Sequence, residues 1–188
     1  MIIDLSGIKP GRYLPVEKDP LNSQKTRNRE NTAFCDYNCG GLALNTFSWY
    51  LPWNDDDECE VPENTIMYLL EEDWDKDEIY GFLQERFLHR MLKDFSNLRL
   101  LDGPHDTIKE NERLICFRFY YREEECHSFN PYEKIDFDFH FRYYSKQSEC
   151  WVEKCGEYPI EFDCKMSKIW YCGSNHYDSK PVYLALAL

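Results

Sequence analysis

Residues 135 to 144 read IDFDFHFRYY, and their strict alternation leaves few choices of structure. Ile135, Phe137, Phe139, Phe141 and Tyr143 fall on one side of an extended chain. Asp136, Asp138, His140 and Arg142 fall on the other, because successive side chains of a strand point to opposite faces. A helix cannot separate these two sets, since its side chains repeat about every 3.6 residues. The segment is therefore predicted to be a β-strand with its aromatic face on a core.

Its neighbours in sequence fit the same sheet. RLICFRFYY (113–121) alternates, with Ile115, Phe117, Phe119 and Tyr121 on one face. ECWVEKCG (149–156) follows IDFDFHFRYY after a short polar turn and is predicted to pair with it as a hairpin. PVYLALAL (181–188) is apolar on both faces, which suits a covered, central strand. An aromatic content of 16% agrees with a sheet-rich core, where flat rings fit a pleated surface.

Before the strands the pattern is helical. Ala43, Leu44, Phe47 and Tyr50 predict a helix from about Asn38, capped by Asn38 or Asp36 and ended by Pro52. Ile79, Tyr80, Leu83, Phe87, Leu88, Met91, Leu92 and Phe95 repeat at three and four residues and predict a second. NDDDECEVPEN between them reads as a solvated loop, and Gly103-Pro104 as a turn. The 188 residues form a single α+β domain on this reading, with helices packed on an antiparallel sheet. Residues 1–36 are an irregular arm, 37–96 the helical part and 97–188 the sheet part.

Charge and cysteine content narrow the classes of function. A net charge of −13 disfavours direct nucleic-acid binding, since phosphates attract lysine and arginine. It suits a basic protein surface, or a protein groove that ordinarily holds nucleic acid. No apolar run approaches the roughly 20 residues of a membrane span, and the first residues lack an export-signal pattern. A cytoplasmic location without membrane contact is expected. Nine cysteines, an odd count in a chain of this size, read as reduced thiols rather than a disulfide framework.

Cys39 stands directly before Gly40 and Gly41 at the predicted helix start. Unpaired N–H groups there favour a thiolate, and bare glycines allow a substrate carbonyl to approach. Asn38, Gly40 and Gly41 are thus candidates for binding substrate and its oxyanion. A nucleophilic cysteine needs a base, and His140 on the polar face of its strand is the candidate, with its ring expected to be accessible. With Lys146 and Gln147 at the hairpin turn, Glu153 falls opposite His140 and can orient it. Asp138, two residues before His140, is the alternative orienter.

A cysteine at a helix start, followed by histidine on one strand and a polar residue on the next, is similar to the papain-like superfamily of cysteine hydrolases. The arrangement looks most like its compact NlpC-type peptidases and amidases. YNCGGLAL and DFHFRYYSKQSECWVEKCG also resemble segments of small uncharacterised phage and Firmicutes proteins. The resemblance implies a papain-like fold and hydrolysis or transfer at an amide or isopeptide bond of a protein or peptide. It gives Cys39 as nucleophile, His140 as base and Glu153 as orienter, with no cofactor.

Plainer readings stand beside these. Cys39 is also consistent with a buried core thiol and His140 with a sheet histidine paired to Asp138 or Glu153. Cys35 with Cys39, and Cys150 with Cys155, have loose metal-ligand spacing, but no two close pairs recur, so no zinc is expected. Cys126-His127 and His176 read as loop residues and His89 as a surface residue. Asp55, Asp56, Asp57, Glu58 and Glu60 lack the spacing of a calcium loop. The second function class is a non-catalytic acidic interaction protein, such as a phage-encoded inhibitor of a host nucleic-acid-binding enzyme, acting in the host cytoplasm.

Overall fold

The computed structural model describes residues 37–46, 48–53, 61–123, 135–146, 149–155, 160–163, 170–172 and 175–188. The predicted arm (1–36), the acidic stretch 54–60, Phe47 and Cys126-His127 lie outside them.

Helices come first: α1 (Cys39–Ala43), α2 (Pro62–Glu71) and α3 (Lys76–Asp94). Strands follow: β1 (Leu98–Leu101), β2 (Glu112–Glu123), β3 (Ile135–Ser145), β4 (Cys150–Lys154), β5 (Ile160–Asp163), β6 (Trp170–Cys172), β7 (Asn175–Tyr177) and β8 (Val182–Ala187). Six of them make one antiparallel sheet in the order β1-β8-β2-β3-β4-β5, and β6 pairs with β7 in a separate hairpin. This is an α+β architecture, with β8 inside the sheet between β1 and β2, where its apolar faces are covered. No helix among the described residues is long and apolar enough to cross a membrane.

The alternation of β3 divides the molecule into two cores. Phe139, Phe141 and Tyr143 join Ile115, Phe117 and Phe119 of β2 beneath Leu42 of α1, Ile66 of α2, and Ile79, Leu83, Phe87 and Met91 of α3. On the other face a smaller cluster gathers Leu114, Cys116, Tyr120, Trp151 and Tyr177. Tyr177 of β7 thus covers the polar side of β3, which the alternation alone leaves open.

Three local features depart from the sequence reading. The first helix is one turn rather than a run to Pro52. Asn45 adopts a left-handed φ of 61° and ends it, and Thr46 N–H donates to the Gly41 carbonyl at 3.0 Å. The chain then returns across Gly41, where an added Cβ would lie 1.8 Å from the Ser48 carbonyl oxygen. Helix α2 replaces the end of the expected acidic loop. Pro62 opens it, and Thr65, Ile66 and Leu69 are buried at helical spacing. The β3–β4 turn is also longer than expected: Ser145 pairs with Cys150, and Glu149 takes a φ of 52°. The register moves by two residues, so Glu153 stands opposite Arg142 rather than His140. A shift of two keeps every side chain on its face.

Candidate functional site

Asn38 is the N-cap of α1. Its Oδ1 accepts from Gly41 N–H at 2.9 Å and from Tyr50 N–H at 3.1 Å, while its Nδ2 donates to the Tyr50 carbonyl at 2.7 Å. The Gly41 amide expected to meet an oxyanion is therefore engaged within the protein. Gly40 faces the Tyr50 ring, and Gly41 the Ser48 backbone. The space the two glycines open is filled by the chain's own residues 48–50, so their bareness serves packing. Asn38 and Gly41, candidates for binding substrate and its oxyanion, hydrogen-bond within the protein, and Gly40, the third, lies against Tyr50.

Cys39 is 5% exposed within the helix-side core, and its thiol donates to the Phe139 carbonyl at 3.8 Å. His140 follows Phe139 in the strand, so its ring leaves on the opposite face. There it stacks on Tyr177 at 5.2 Å between centroids. At 1% exposure the ring is not open to solvent, contrary to expectation, because β7 lies over it.

His140 Nε2 and Glu153 Oε2 are 2.6 Å apart, and Arg142 Nε donates to the same oxygen at 2.7 Å. Burial pushes the Glu153 carboxyl up, but the His140 hydrogen bond and the His140 and Arg142 charges outweigh it and hold the carboxyl below its ordinary range. Asp138 takes another partner, accepting from the Tyr177 hydroxyl at 2.5 Å. A third titratable side chain joins His140 and Glu153. Cys155 Sγ, a His140 ring nitrogen and a Glu153 carboxylate oxygen all lie within 4.8 Å of one another.

The structure thus brings His140 and Glu153 together, adds Arg142, Tyr177 and Cys155, and leaves Cys39 outside that cluster. Cys155 was accessible to strand logic. Continued two residues beyond Arg142–Glu153, the observed register sets Cys155 across from His140. The expected two-residue turn hid this. Nothing local to the sequence signals Tyr177.

Helix α3 carries charges of both signs along its length. Asp77 and Glu78 occupy its first turn, and Arg86, Arg90 and Lys93 line a groove of about 500 Å³ with Trp53 and Phe87 near its C-terminus. His89, on the groove's rim, is exposed as expected. Compared with protein-family models, curated proteins and solved structures, the chain matches none.

Proposed function

We propose that the chain is a non-catalytic acidic interaction protein that docks on a basic protein surface through the corner between α2 and α3. The supporting observation is where the carboxylates sit. Glu71, Glu72 and Asp73 are exposed at the C-terminal end of α2, whose last turn holds no basic residue. A helix C-terminus carries partial negative charge, so anions there oppose folding. Asp75, Asp77 and Glu78 continue the exposed acidic surface around Trp74, which is 38% exposed, and Tyr68 on α2 is 60% exposed. Charges that cost stability and surround an aromatic ring suit a partner rich in lysine and arginine.

The probe is a bacterial histone-like protein holding duplex DNA, whose displacement by this chain is measured. Glu71→Gln, Glu72→Gln and Asp73→Asn together are expected to raise the midpoint of unfolding while weakening displacement at least tenfold. A charge-matched set at the exposed Asp102, Glu110 and Glu123 should weaken it far less. Equal losses from the two sets would mean that net charge alone acts, and the docking corner would be abandoned.

A second reading, a cysteine hydrolase or transferase with a papain-like fold, draws support from Cys39 opening a capped helix and from the His140–Glu153 pair. Brief, limiting alkylation of native protein separates the two. The interaction reading expects Cys39 among the slowest thiols, since burial blocks the reagent. Preferential labelling of Cys39, weakened by His140→Ala, would restore the hydrolase.

A further inference from the structure

We propose that His140, Glu153 and Cys155 form a zinc site. Their ligand atoms converge within 4.8 Å, and all three residues are buried, at 1%, 6% and 8% exposure. Such burial excludes a substrate but not a bare ion. The hairpin supplies the convergence: Glu153 and Cys155 are two residues apart on one face of β4 and its extension, and His140 is on the facing strand. Sequence spacing argued against zinc because it looked for close cysteine pairs. A ligand set built across a hairpin has no such signature.

The donors select the ion. One imidazole nitrogen, one carboxylate oxygen and one sulfur suit borderline-soft zinc, whereas magnesium and calcium take oxygen throughout. The 2.6 Å hydrogen bond between His140 and Glu153 is the contact the ion replaces. The two atoms need move apart only to about 3.3 Å, the edge of a tetrahedron with ~2.0 Å bonds. Arg142 on the Glu153 carboxylate and Tyr177 stacked on the imidazole are the outer partners that hold ligands in orientation. Thiolate and carboxylate together offset the two charges of the ion. Binding releases the Cys155 thiol proton, and a water fills the fourth position.

The test uses the full chain, stripped with a chelator and then titrated with zinc or cobalt(II) alone. Uptake should saturate at one ion per chain, and cobalt should give a sulfur-to-metal charge-transfer band. Cys155→Ser should abolish the band and Cys39→Ala should keep it. Should Cys155→Ser fail to fold, X-ray absorption of zinc-loaded wild type decides, with one sulfur and the rest nitrogen or oxygen expected. Absence of saturable uptake, a band that survives Cys155→Ser, two or more sulfurs on the zinc, or rapid alkylation of Cys155 in zinc-loaded protein would each overturn the assignment.

Discussion

At the scale of single residues, Gly40 and Gly41 look alike in sequence and differ in what they permit. A Cβ on Gly41 meets the Ser48 carbonyl at 1.8 Å, and backbone cannot swing aside as a flexible side chain can. Gly41→Ala should therefore cost about 3 kcal/mol or more, the upper end of overpacking costs. A Cβ on Gly40 meets the Tyr50 ring at 3.3 Å, and alanine gains up to about 1 kcal/mol of helix propensity. Gly40→Ala should stay within about 1 kcal/mol of wild type. Urea unfolding of the two variants checks the contrast, and equal costs would show that the return of residues 48–50 over α1 is misplaced. The sequence makes the glycines conspicuous but cannot show what approaches them, because Ser48 arrives only after Asn45 turns the chain left-handed.

Among the elements, α3 was legible from sequence because every determinant is local. Ile79, Leu83, Phe87 and Met91 form its buried stripe, and Asp75 begins it with a capping box. Asp75 Oδ1 accepts from Glu78 N–H at 2.9 Å, and Glu78 Oε2 accepts from Asp75 N–H at 2.9 Å. Asp75→Ala leaves the Glu78 N–H to water, while the residue-75 N–H keeps Glu78 Oε2, and should destabilise by about 1 kcal/mol, read as a lower urea midpoint at unchanged slope. A neutral result would mean that tertiary packing alone starts the helix there. The β3–β4 hairpin was only half legible. Alternation assigns each side chain to a face, but register depends on the turn, and Glu149 in a left-handed conformation adds residues that no periodicity reports. The register was consequently off by two, although Glu153, kept on the same face, still reaches the His140 ring as expected.

For the whole molecule, acid stability rests on carboxylates held ionised by the fold. Glu112 takes two hydrogen bonds from Arg99, at 3.0 and 2.8 Å, and one from Lys109 N–H, at 2.8 Å. The Arg99 bonds, then the Lys109 amide, hold its carboxyl down to about 2 from 4.5. Unfolded protein takes up this proton first as pH falls, so the contribution is complete above about 4.5 and is lost as pH drops towards 2. Unfolding midpoints of wild type and Glu112→Gln should therefore differ above that window and converge within it. Parallel curves would deny Glu112 the role. Glu153 and Asp178, also held low, leave both curves falling in acid. The Arg99–Glu112 pairing is not visible in the sequence, where the two residues are thirteen positions apart on strands that never pair with each other.

Strand β8 follows every other described element in the chain, yet it lies between β1 and β2. A chain emerging from the ribosome therefore makes β1 long before that strand has a neighbour, and β2 waits with one edge bare. The hairpin of β2 and β3 can close early, and the helices can gather on its aromatic face. The sheet itself becomes continuous only when residues 182–187 slide into a slot already flanked on both sides. Birth order and spatial order disagree here, so the latest-made strand of this sheet acts as a keystone, and nascent protein halted before it carries two unpaired edges ready to join those of its neighbours on a polysome.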